Sequence, residues 1–183
     1  MSDTAIVGEN VEVIQTKGPR SAFTWSVVIA GALAAWAVAF IFVSLGTGIG
    51  LAIASPYSGP SAAAMTIGGA VWLIFAETAA FTTGGYLAAR LRIRDHIPGP
   101  ETKFRDAAHG FMAWVVGVGL MSAAVLIVTL LAAHTGTPAA AEATDAARKA
   151  AAYASFWSFM ALLFGAVAAT LAGILGGELR DEA

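Results

Sequence analysis

Residues 23–54 decide the fold. They read FTWSVVIAGALAAWAVAFIFVSLGTGIGLAIA, a run without one charged side chain. A helix needs about 20 apolar residues to cross the hydrocarbon core of a bilayer. The run has none of the alternation of a membrane strand, and lipid offers backbone groups no partner outside a helix or a closed barrel. Three further segments qualify on either side of the polar breaks that follow, at about residues 64–89, 108–133 and 153–177. The expected fold is therefore all-α: an integral membrane protein with four transmembrane helices, its membrane domain covering residues 21–183. As a straight helix, span one would measure about 48 Å, against about 30 Å of hydrocarbon. It either tilts or runs past the membrane, which is the preferred expectation, or it breaks near Gly46-Thr47-Gly48-Ile49-Gly50. Broken helices line substrate sites in transporters, but glycine is common in membrane helices in any case.

The composition of the 183 residues agrees, with 58% apolar and 12% charged, where a soluble domain carries about a quarter charged. A net charge of −2 implies neither nucleic acid nor a strongly acidic partner. The absence of cysteine excludes disulfides, thiolate catalysis and cysteine-based metal sites. Residues 1–20 place Asp3, Glu9 and Glu12 ahead of Lys17 and Arg20, the reverse of a cleavable signal. They are expected to form a cytoplasmic tail, with a short extended stretch around Val11 to Ile14.

Orientation follows from the basic residues. Lys17, Arg20, Arg90, Arg92, Arg94, Lys103, Arg105 and Arg180 fall on one side, and only Arg148 and Lys149 on the other. The first side is the expected cytoplasm and holds both termini and a loop from Leu91 to Ala107. Trp25, Tyr153 and Trp157 sit where interfacial aromatics are expected. Before span four, Thr137-Pro138 reads as a helix cap followed by proline at the first helical position. An alanine-rich stretch from Ala139 to Ala152 follows, with Asp145 and Lys149 at i,i+4. These features predict an additional external helix leading into the fourth span.

Small residues let helix backbones approach in lipid. Span two carries Ala76, Ala80, Gly84 and Ala88 at fourfold spacing, span four carries Gly165, Ala169, Gly173 and Gly177, and span one has Gly46 and Gly50. These faces are expected to be buried. The ladders of spans two and four both fall toward the cytoplasmic side, which hints at a duplicated hairpin, although Gly31 to Trp36 in span one and Gly110 to Trp114 in span three are only vaguely alike.

Glu77, midway along span two, is an acid where acids are costly and face protein or a water-filled cavity. At 100° per residue it falls between Gly84 and Ala88 and points into the bundle. Trp36, Ser122 and Thr170 lie near its level as candidate donors. It either titrates or binds a cation on a transport path, or stays protonated and ties two helices together. The second is preferred, because no second acid or basic partner accompanies it. Asp106 and His109 stand one turn apart, and His96 precedes them, but no third ligand for a metal is evident. An acid in a first helical turn is explained by the macrodipole alone. No nucleophile–base pair and no phosphate-cradling loop occurs.

Trp25-Ser26 with Ala30-Gly31-Ala32, Gly48-x-Gly50-Leu51, Gly84-Gly85-Tyr86-x-Ala88-x-Arg90, Asp106-x-x-His109-Gly110 and the glycine-rich end of span four together resemble a group of small four-helix bacterial inner-membrane proteins, some labelled PhnA-like. The resemblance covers most of residues 23–180. It implies four spans and a bacterial inner (cytoplasmic) membrane. No activity is known for the group, so it implies none, and Glu77 departs from its pattern of a small or mildly polar residue there. The expected function is non-enzymatic, with no catalytic residue, metal or cofactor: an accessory or packing subunit of a membrane complex, or a homo-oligomer. The alternative is a small transporter or channel using Glu77. The expected partners are the lipid bilayer and a membrane protein or further copies of the chain.

Overall fold

The computed structural model describes residues 23–53, 62–93, 99–134 and 145–182. They form four helices, α1 (Trp25–Ile53), α2 (Ala62–Arg90), α3 (Gly99–His134) and α4 (Asp145–Glu182). Each is long and apolar enough to cross a membrane. The tail at 1–20, the Thr137-Pro138 cap and His96 lie outside the described residues.

Three local expectations need correction. The segment before span three is helix, not loop, from Gly99 onward. Pro100 is tolerated in a first turn, where its missing N–H is not needed. Glu101 suits the positive end of the dipole and accepts from Arg105 Nε, one turn on, at 2.8 Å. Asp106 is consequently well inside α3, and the macrodipole does not account for it. Asp145 pairs with Arg148 at i+3 and not with Lys149. α4 itself runs unbroken from Asp145 through Tyr153 to Glu182. α1 is likewise continuous through Gly46–Gly50. Gly46 makes room for the Trp72 indole, which donates from Nε1 to the Phe42 carbonyl at 2.9 Å. A side chain at 46 would occupy the position of that ring.

α2 and α3 each touch the other three helices, α2 the most extensively, whereas α1 and α4 do not meet among the described residues. The core is Phe81, with no exposed surface, set among Ala35 and Ala169 and flanked by Trp114 and Val118. Glycines open the slot for its ring. A β-carbon at Gly117 or at Gly165 would come within 2.8 Å of the Phe81 ring, from opposite helices.

Between Phe81 and the chain ends, the packing is backbone to backbone. The α2 ladder meets α1: a β-carbon at Gly84 would stand 2.6 Å from the Gly31 carbonyl oxygen and 2.8 Å from Ala35 Cβ. Ala76, Ala80 and Ala88 are buried on the same side. The α4 ladder turns to the other two helices. Ala169 lies against Gly85 of α2 and Gly110 of α3. A β-carbon at Gly173 would come within 2.6 Å of the Asp106 carbonyl oxygen, and one at Gly177 would overlap the Asp106 carboxylate. In each hairpin, then, a glycine early in the first helix (Gly31 or Gly110) seats on the ladder of the second.

Away from the chain ends the helices separate. A β-carbon at Gly48, Gly50, Gly68, Gly69 or Gly119 would meet nothing within 4 Å. The outward faces are mainly apolar, with Leu51 (73%), Phe40 (70%) and Val125 (66%) among the most exposed large apolar side chains.

Candidate functional site

α2, α3 and α4 diverge beyond Phe81 and leave a partly open cavity of about 470 Å³. Its wall carries Glu77 from α2, one turn from Phe81, with Ser122 from α3 and Ser158 from α4. The remaining wall is aliphatic, including Leu73, Val118, Met121 and Leu162. Glu77 is 8% exposed, and its Oε2 has no hydrogen-bond partner. The acid does point into the bundle, but toward α3 and α4, not toward the α1 seam. A row of i, i+4 residues drifts by about 40° per step around a helix with 3.6 residues per turn. The ladder members at the level of Glu77, Ala76 and Ala80, therefore lie about 100° and 60° from it around the helix, on a different face.

Of the three expected donors, only Ser122 lines this cavity. Trp36 is 43% exposed and faces outward. Thr170 bonds its own helix, donating to the Ala166 carbonyl at 2.8 Å. Among the described residues, Glu77 Oε2 makes no hydrogen bond to any of these three. Ser158 was not foreseen, because one serine in an apolar helix carries no mark of what it faces.

A second constellation lies at the end of the bundle that holds the start of α1 and the end of α4. Asp106 of α3 is 2% exposed and accepts from Arg92 Nε at 2.9 Å. It also accepts from Arg180 of α4, at 3.0 Å to Oδ1 and 3.2 Å to Oδ2. Arg180 continues to the Ala89 carbonyl of α2 at 2.9 Å and to Asp181 at 2.8 Å. Two guanidinium groups thus face two carboxylates, and α2, α3, α4 and the segment after α2 are tied at one point. Gly177 is what lets the carboxylate reach α4. The sequence does not reveal the cluster, since its members are 14 and 74 residues apart.

His109 completes this end. Its Nδ1 lies 2.7 Å from the Arg105 carbonyl, which can only accept, so Nδ1 carries the proton. Nε2 is then free to accept from the Thr24 backbone N–H, at 3.1 Å. Phe23 stacks on the ring at 4.5 Å. Both nitrogens are engaged by backbone, so His109 fastens the start of α1 and is not available as a metal ligand. Among the described residues no three His, Asp or Glu side chains converge as a metal site.

The two constellations differ in chemistry. The cluster at Asp106 is charge-balanced and its groups bond one another, so it holds helices together. The cavity at Glu77 has space, an unsatisfied acid and two hydroxyls, and it is the candidate site. No known protein family, curated protein or solved structure shows significant similarity to this chain.

Proposed function

We propose that the chain is a non-enzymatic, multi-pass protein of the bacterial inner membrane that works by association, as a packing subunit of a larger complex or as a homo-oligomer. The observation that carries this reading is the incomplete far half of the bundle. Gly50, Gly68 and Gly69 line a groove of about 630 Å³ between α1 and α2, with Thr47 and Ala64 beside them. Small residues that admit a backbone are what helix association in lipid uses. An apolar helix with large side chains is the complementary occupant. The apolar exterior supports insertion, since lipid needs no polar cover. The basic residues support cytoplasmic termini. The start of α4 at Asp145, well before Tyr153, supports an external helical extension ahead of the fourth span.

Gentle solubilisation should recover the protein with a stoichiometric membrane partner or as one defined oligomer, and Gly68→Leu should release it. A folded, solitary monomer in which Gly68→Leu changes nothing defeats the proposal. Topology is read separately, with single cysteines at Ser2, Ser58 and Thr144 in intact cells. Positions 58 and 144 should label from outside and position 2 should not. The reverse pattern inverts the orientation.

A transport role is the second reading, favoured by the unpartnered carboxyl of Glu77 in its cavity. Flux through the reconstituted protein that Glu77→Gln removes, with the fold intact, would promote it over the first.

A further inference from the structure

We infer that the cavity between α2, α3 and α4 is a binding site for a compact lipophilic amine, whose ammonium group pairs with Glu77 and whose hydrocarbon body fills the aliphatic wall. This goes beyond both functional readings, because binding is measured without assembly or flux.

Four observations converge on it. The carboxyl of Glu77 is more than nine-tenths buried, lines the cavity and leaves Oε2 without a hydrogen bond. A buried polar atom without a partner costs free energy, and a ligand that donates to it recovers that cost. Ser122 and Ser158 bring one hydroxyl each from the two facing helices. They can accept the remaining N–H groups of an ammonium. The rest of the lining is hydrocarbon, which suits an alkyl body.

The chemistry excludes the simpler cations. A hard metal ion takes six or more oxygen ligands, and one carboxyl with two hydroxyls does not replace a hydration shell. A carboxylate in hydrocarbon needs a counter-charge at short range, and no Lys or Arg lines the cavity. Lys149 stands at the far end of the adjoining groove between α2 and α4, which shares Leu73 and Ser158 with the cavity. Nine residues of helix separate it from Ser158, about 13 Å at 1.5 Å per residue, so it does not neutralise Glu77. An amine reaches the cavity from two directions. Along the adjoining groove it passes Thr66 and Tyr153. Between α3 and α4 it passes the outward-facing Val125 and Leu126, which are 66% and 59% exposed.

The probe is 1-aminoadamantane, with adamantane-1-carboxylate as its control of the same shape and opposite charge. Titrated into the detergent-solubilised full chain, the amine should bind saturably and raise the melting temperature, and the acid should do neither. Glu77→Gln should weaken amine binding at least tenfold while eluting as the folded wild type. A second measurement uses only the wild type. Dicyclohexylcarbodiimide adds to a protonated carboxyl in an apolar setting, and mass spectrometry should find Glu77 as its site. The amine should slow that modification in proportion to its occupancy. Absence of saturable amine binding, equal affinity in a folded Glu77→Gln variant, or labelling of Glu77 that the amine does not slow would each overturn the proposal.

Discussion

The two halves of this bundle are built from the same residue types and do opposite things with them. At the end where the chain begins and finishes, glycine removes side chains so that backbones touch: Gly31 on Gly84, Gly110 on Ala169, Gly173 on the Asp106 carbonyl. At the other end Gly48, Gly50, Gly68, Gly69 and Gly119 touch nothing. The difference lies in what anchors each half. Near the chain ends, Arg92, Arg180 and Asp106 tie three helices, and His109 holds the start of α1. In the far half, a Trp72–Phe42 hydrogen bond joins α1 to α2, while α2, α3 and α4 part around an unpartnered acid. Glycine therefore gives close packing only where a specific polar contact or a large ring sets the helix positions. Elsewhere the same absence of a side chain leaves open space.

The largest effect should come from the ionic anchor. Asp106→Asn keeps the shape but leaves two buried guanidinium groups without their shared carboxylate, a loss of about 3–5 kcal/mol for a broken buried pair. Thermal unfolding in detergent measures it. Lys103→Ala supplies the contrast. It removes an exposed pair with Glu178 at 2.7 Å, and such solvent-screened pairs contribute little, so its melting temperature should barely move. Equal losses in the two variants would erase the distinction between the ends.

Glycine substitutions sharpen the same contrast. Gly173→Leu must displace the α3 backbone and should cost at least about 1–3 kcal/mol, the usual toll of overpacking. Gly119→Leu enters open space and should leave the melting temperature of the isolated chain unchanged. If Gly119→Leu proves as damaging as Gly173→Leu, the far half closes in solution.

The smallest effect has the more informative sign. An acid that ties helices together is missed when it is removed, whereas an acid buried without a partner is a cost. Glu77→Leu should therefore leave the empty protein as stable as the wild type or more so, by up to about 1 kcal/mol on the scale of a buried unsatisfied group. A clear loss of stability in Glu77→Leu would restore the structural role expected from sequence.

How far the sequence carried is clearest at Gly173 and Asp106, which touch. The fourfold ladder containing Gly173 is visible in the sequence, because helical periodicity is a local property and small residues in apolar helices mark contact faces. The ladder does not say which helix fills it. Asp106 looked like an ordinary first-turn acid because the start of α3 was placed too late, and its two arginines are distant in the chain. Glu77 was legible as an oddity by depth alone, yet its direction was not, since a wheel gives an angle on one helix and not which neighbouring helix stands there at that height. The count of the membrane-length helices follows from residue type, because uncharged runs long enough to cross hydrocarbon leave the backbone no structure but a helix. Tertiary structure alone decided which ladders meet, that Asp106 closes one end, and that Glu77 faces a cavity. Those outcomes depend on how far apart the helix axes lie, which no local pattern encodes.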